Sequence, residues 1–321
     1  MTYRKAAIFG VLLWLVLYFW IRPQASHDEW ARILLSLAVL VWVPLAFELL
    51  QYPLRYAIWV ASAGAALAIT LFLPSGSMTG LLSCGWLLVS FLAFQRGLRR
   101  LRKWRRAPAN VALGAAQIFL VIGALWAVFD RFGLQPLNFD PAIVLLTSVH
   151  FHYAGFIFPL LTGWLQQYAP NWHSHLAARL AVIAIPMTAI GITLMQVYDL
   201  YWPEAIAATV MAFSGWLCGF GYLRLAFRKS VAIAPRIAAT GLAFSLFFSM
   251  TLALGYAMRG YYPIDFLQIP TMRAWHGSVN AIGVAGFGLW YKWLASKASL
   301  HKTSSACAKS SISQSTSSRP I

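Results

Sequence analysis

The chain has 321 residues, 60% of them hydrophobic and only 10% charged, with a formal net charge of +17. A soluble globular domain carries about 25% charged residues, so this composition excludes a protein that clothes its whole surface in water. The basic excess does not imply nucleic-acid binding, because it is confined to short segments between apolar runs, and no nucleic-acid partner is expected.

Ten mostly apolar stretches follow one another at roughly 5–21, 30–51, 54–73, 78–95, 109–129, 141–165, 176–198, 203–226, 232–257 and 270–295. At about 1.5 Å per helical residue each spans a hydrocarbon core of about 30 Å, the first only marginally. The expected fold is all-α, a polytopic transmembrane helix bundle of about ten spans over residues 1–297. Arg4 and Lys5 precede the first apolar run, as in a signal peptide. No small-x-small cleavage site follows, so the run is expected to stay as an anchor.

Loop charge sets the expected orientation. With the N-terminus in the cytoplasm, 20 of 25 basic residues fall on the cytoplasmic side and seven of eight acidic residues outside. Glu48 is the acidic exception, and Arg22, Arg32, Arg131, Arg259 and Arg273 are the outer basic residues. This is the positive-inside asymmetry, and it places both termini in the cytoplasm of a cell (cytoplasmic) membrane. The fourth span runs into the longest basic stretch, Arg96 to Arg106. It is expected to fix topology and to touch anionic lipid, at about 1 kcal/mol per basic residue. Trp and Tyr cluster at span ends, among them Trp30, Tyr56, Trp104 and Trp172, as amphipathic rings do at headgroup level.

Loops are short, so no soluble catalytic domain is inserted, and five spans lie on each side of the Asn138-Phe139-Asp140-Pro141 loop. An odd number per half is the count of inverted-repeat transporters, although no sequence repeat accompanies it. Ionisable groups at depth are costly and point to function. The sixth span places His150 about 15 Å below Asp140, near mid-bilayer. His150 and Tyr153 share a face, while His152 lies about 200° away with Ser148 and Gly155, so an intact helix cannot offer both imidazoles to one metal ion. Pro159 removes a helical hydrogen bond to Gly155, which predicts a kink or short unwound stretch below His152.

The tenth span carries Arg273, His276 and Asn280 on one polar stripe descending from the outer side, beside a ridge of Gly277, Ala281 and Ala285 that admits a close neighbour. Asn280 is expected at the depth of His150. From about Ala298 the composition turns to Ser, Thr, Lys and Ala, so 298–321 is expected to be a disordered cytoplasmic tail. Cys84, Cys218 and Cys307 have no paired spacing and imply no disulfide framework.

The segments His150-Phe-His-Tyr-Ala-Gly-Phe156 and His276-Gly-Ser-Val-Asn-Ala-Ile-Gly283 resemble motifs of the YndJ-like family of bacterial membrane proteins. The similarity covers the second half of the chain best and departs at Val284, where an aromatic is expected. It implies a polytopic membrane protein with a histidine-bearing core and supplies no substrate or cofactor.

Three functional classes follow. The first is transport or binding of a small solute through a polar cavity between the sixth and tenth helices, lined by His150, His152, Tyr153, Arg273, His276 and Asn280. Arg273 favours an anion, and histidine allows proton coupling. The second is an intramembrane metal- or haem-dependent enzyme or redox protein, for which His173 and His175 offer a loop chelate but the helical spans lack a paired-ligand spacing. The third is a ligand-free scaffold whose polar stripes only fix helix register.

Overall fold

A computed structural model describes residues 1–21, 27–105, 107–229 and 231–298. The expected tail from residue 299, with Cys307, therefore lies outside the described residues, as do Arg22 and Arg106. Among the described residues the chain is helical without strands, and eight helices are long and apolar enough to cross a membrane.

The chain begins with α1 (Tyr3–Ile21) and α2 (His27–Leu37), which continues through a π-helical turn, Ala38–Trp42, into α3 (Val43–Leu49). The expected third span is shorter than 54–73: a 3₁₀ turn, Leu54–Tyr56, leads into α4 (Ala57–Thr70). Next come α5 (Ser77–Leu101), α6 (Ala109–Phe132) and α7 (Pro141–His150). The last of these passes through a π-helical stretch, Phe151–Ile157, into α8 (Phe158–Tyr168). Then follow α9 (Trp172–Tyr198), α10 (Tyr201–Ala226) and α11 (Ile233–Ala257). The last helix starts as α12 (Ile269–Met272), passes π-helical turns at Arg273–Gly277 and Val279–Val284, and runs on to residue 298.

Local sequence explains these joints. Asp140 caps α7 through Ala142 N–H at 2.8 Å, with Pro141 in the first turn where its missing N–H costs nothing. Asn171 and Ser174 form a reciprocal capping box that starts α9. The helix therefore begins before His173 and His175, which sit in its first turn rather than in a loop. Gly133 closes α6 in the left-handed conformation, φ 72°. Pro159 does not unwind its helix. The widened turn upstream absorbs the proline, because i→i+5 pairing shifts the carbonyls that its ring would otherwise meet.

Packing is antiparallel between sequence neighbours, with α5 against α6, α9 against α10 and α10 against α11. The α2–α3 rod, the α7–α8 rod and α6 form the interior, whereas α1, α4, α5 and α9 turn Leu, Ile, Phe and Trp side chains outward. Four ion pairs tie the bundle ends: Arg4–Glu48, Arg131–Asp130, Arg259–Glu204 and Arg273–Asp28. Arg131 is fully buried. It binds Asp130 at 2.7 Å and donates to the carbonyls of Thr70 and Leu73 at 2.6 and 2.9 Å, closing the open end of α4.

Replacing Arg131 with Met leaves the Asp130 carboxylate buried without its cation and the Leu73 carbonyl without its donor. The expected loss is about 3–5 kcal/mol, read as a lowered unfolding midpoint of the purified protein in detergent, and an unchanged midpoint overturns this assignment.

Candidate site between the sixth and last helices

A cavity of about 540 Å³ lies between the α7–α8 rod, α9, α10, α11, the last helix and the start of α2. Five of the six residues singled out in the sequence line it: His150, Tyr153, Arg273, His276 and Asn280. His152 does not. Its ring is fully buried on the opposite face of the π-helical stretch, where Nδ1 meets the Ser148 carbonyl at 2.8 Å and Nε2 accepts from Trp86 Nε1 at 3.0 Å. Both nitrogens are satisfied, so His152 is a packing group that joins the α7–α8 rod to α5. Ser148 extends that seam by donating to the Gly123 carbonyl at 2.9 Å.

His150 is differently placed. Its Nδ1 meets its own helix at the Leu146 carbonyl, 2.8 Å away, while the ring is exposed to the cavity. His276 lines the same space. Tyr153 contributes its ring to the wall, but its hydroxyl is committed to the Leu34 carbonyl at 2.7 Å. Three neighbouring side chains therefore diverge: His150 toward the space, His152 toward α5 and the Tyr153 hydroxyl toward α2.

The last helix supplies a polar cluster that includes a residue absent from the sequence reading, Ser249 of α11. His276 Nδ1 meets the Ser249 carbonyl at 2.9 Å and the hydroxyl at 3.1 Å. The Asn280 amide nitrogen donates to the Ser249 hydroxyl, to the His276 carbonyl at 2.8 Å and to His276 Nε2 at 3.2 Å. A lone serine in an apolar span gives little signal in sequence, since such hydroxyls usually bond to the preceding turn of their own helix. The small-residue ridge behaves as expected: Ala281 and Ala285 are fully buried, and a Cβ at position 277 would meet Leu34 of α2 at 2.9 Å. Trp30 of the same helix donates to Ser278 at 3.0 Å.

Arg273 is not free. One of its terminal nitrogens binds Asp28 at 2.8 Å, from the other end of the chain. Its side chain is only 10% exposed against 47% for Asp28, and its Nε is buried without an acceptor. Nearby, Glu204 is gripped by both terminal nitrogens of Arg259 at 3.0 and 2.9 Å, and the guanidinium lies 4.0 Å over the Tyr256 ring. Neither acid–base pairing was visible in sequence, because the partners are separated by 245 and 55 residues.

The remaining lining is mostly apolar, with Phe119, Ile122, Trp126, Phe151 and Met250 among it, and Thr147, Thr193, Gln196 and the Arg259-paired Glu204 add a few polar groups, so the cavity is an apolar chamber with polar corners rather than a polar channel. Around it, α7 rests on α6 and α2 while α9 rests on α10, α8 and α6, and both α7 and α9 line the space. From Met187 to Met195 only Gly191 of α9 is buried. Among the described residues no three His, Cys, Asp or Glu side chains come together as a metal set. His173 stacks on Trp172 and His175 bonds Gln166, at the other end of the α7–α9 pair from His276.

Comparisons with known proteins agree with this architecture. The sequence pattern described as YndJ-like protein matches residues 32–284. That match reaches well into the first half of the chain, further than the two motifs alone indicate. The chain is also 28% identical over 293 residues to the "Uncharacterized membrane protein YndJ" of Bacillus subtilis (strain 168), across 86% of this chain and 50% of that protein. It thus spans about half the length of the curated relative it matches. No solved structure matches the chain.

The opposed environments of the two histidines predict opposite responses. Trp86→Phe leaves His152 Nε2 buried without a donor and is expected to cost about 1–3 kcal/mol, whereas His150→Ala is expected to change stability by less than about 1 kcal/mol, since it empties an already open face. Thermal unfolding of both variants in detergent checks the contrast, which fails if His150→Ala is the more damaging.

Proposed function

Because the chain belongs to the YndJ-like family and is an integral membrane protein, we propose that it binds a small amphipathic anion in the chamber between α7 and α9 and carries it across the bilayer. The carrying observation is the pairing of an apolar cavity of about 540 Å³ with a nine-tenths buried arginine whose Nε has no acceptor. Ligand sites commonly enclose about 300–1,000 Å³ of mostly apolar lining with a few convergent polar groups. Protein interiors are otherwise close-packed, so helices whose polar groups served register alone would not leave such a space. Arg273 offers a guanidinium donor, Ser249 holds His276 and Asn280 in place beside it, and the Phe, Ile and Met walls suit a hydrocarbon body.

In this reading the helices make ten passes through a bacterial cytoplasmic membrane, with both ends of the chain inside. The loop-charge asymmetry supports it, and so do the ion pairs, each of which joins residues assigned to the same side. Cysteine introduced at Leu137 is expected to react with a membrane-impermeant maleimide in intact cells, and cysteine at Trp104 only after permeabilisation. The reverse pattern overturns the orientation.

Ligand class is tested by equilibrium dialysis of the purified protein with radiolabelled octanoate, and with octyl glucoside as the neutral comparison. Octanoate is expected to bind saturably and at least about tenfold more weakly to Arg273→Gln, the equivalent of about 1.4 kcal/mol. Equal binding of both probes, or no effect of the substitution, removes the anion assignment. Uptake into proteoliposomes then separates a carrier from a binding protein.

A further inference from the structure

The opposite end of the bundle holds a second recess, of about 480 Å³, built by the end of α5 and the Tyr52–Tyr56 segment. Arg96, Arg99, Arg100 and Lys103 all line it, and their spacing of three, four and seven residues puts them on one face of α5 as it enters the loop. Arg55 faces them from the other wall. Arg102 and Arg105 belong to the same basic stretch but lie outside this recess. The basic segment thus divides into a face that encloses a space and a face that does not.

Among the described residues, none of the five lining cations has a carboxylate partner, and no acidic side chain lines the recess. The one acidic residue assigned to this end, Glu48, is held by Arg4 at 2.8 Å. Arg96 is used in part by the fold: it donates to the Leu50 carbonyl at 3.1 Å and lies 4.4 Å over the Tyr52 ring. Arg100 has a buried Nε with no acceptor. Tyr52 brings no competing negative charge, since burial pushes its phenol up against the pull of the Arg96 guanidinium, and its hydroxyl donates to Gln117 at 3.0 Å. Like charges gathered around a shared concavity repel one another, and that repulsion is relieved by an anion that accepts from several of them together.

We propose that this recess binds a phosphoryl anion, its oxygens received by Arg99, Arg100 and Lys103 with Arg55 opposite. Planar guanidinium groups offer paired donors that match phosphate oxygens, and lysine adds a mobile point charge. The phosphoryl group comes either from the headgroup of an anionic lipid or from a soluble phosphorylated molecule, two sources with the same recognition chemistry. The site is independent of the α7–α9 chamber, shares no lining residue with it, and is tested without any chamber ligand.

The test uses the full chain and two double variants with equal charge loss. Arg99→Gln with Lys103→Gln alters the recess. Arg102→Gln with Arg105→Gln alters the other face and serves as the control. All four side chains are exposed, so both proteins are expected to fold, which their unfolding midpoints verify. Binding is measured with pyrophosphate by calorimetry at fixed ionic strength, and with phosphatidic acid against phosphatidylcholine by native mass spectrometry of the detergent-released protein. The recess variant is expected to bind at least tenfold more weakly while the control stays within twofold. Pyrophosphate binding alone assigns a soluble ligand and phosphatidic acid retention alone a lipid headgroup, and both results support the site. Equal losses in the two variants reduce the effect to diffuse charge and overturn the proposal, as does the absence of binding by either probe.

Discussion

In hydrocarbon an unpaired backbone amide or carbonyl has no water to turn to, so a buried helix must keep its ladder closed even where a proline interrupts it. In its two most buried rods this chain meets that constraint with widened turns, whereas Pro186 sits within the regular helix of α9. Ala38–Trp42 precedes Pro44, and Phe151–Ile157 precedes Pro159. Each turn redirects the side chains it contains. The second one holds His152 against Trp86 and the Tyr153 hydroxyl against the Leu34 carbonyl, while His150, just ahead of it, bonds its own helix. His152 and the Tyr153 hydroxyl thus serve packing toward α5 and α2, and His150 lines the chamber.

The last helix works in the same way with turns at Arg273–Gly277 and Val279–Val284, here without a proline. Gly277, Ser278, Ala281 and Ala285 keep it tight against α2 and the interior, while His276 and Asn280 are held by Ser249 of α11. Its polar groups are thus fixed from two sides before any ligand is present, which is the arrangement a binding site needs to limit reorganisation on binding. Arg273 and Asp28 complete the fixing at the bundle end, joining the second helical rod to the last.

Much of this was legible from residue order alone. Hydropathy located nearly every rod, and the i, i+3, i+7 positions of Arg273, His276 and Asn280 identified the stripe that lines the chamber. The wheel position of His152 already separated it from His150, and the structure places it against Trp86. The remainder depended on long-range geometry. Nothing near Arg273 announces Asp28, nothing near Glu204 announces Arg259, and Ser249 looks like any helix hydroxyl until His276 is seen beside it. The chamber walls were missed for another reason: Phe, Ile and Met carry one hydropathy whether they face lipid, a neighbouring helix or an enclosed space. The turn at Pro159 was anticipated as a break, because local rules register the lost hydrogen bond and not the i→i+5 pairing that replaces it.

The close crossing of α1 over the second rod carries a consequence for where the folding unit ends. Gly10 leaves no room for a side chain against the Leu40 carbonyl, and Trp14 donates to the Ile33 carbonyl at 3.0 Å. Both contacts come from residues ahead of position 32, where the family pattern starts, and Leu289 and Tyr291 are buried beyond position 284, where it stops. The shared family signature is therefore narrower than the body that must assemble as one piece. Trimming the polypeptide to the signature would strip a helix from the wall of the widened turn and leave its carbonyls facing acyl chains.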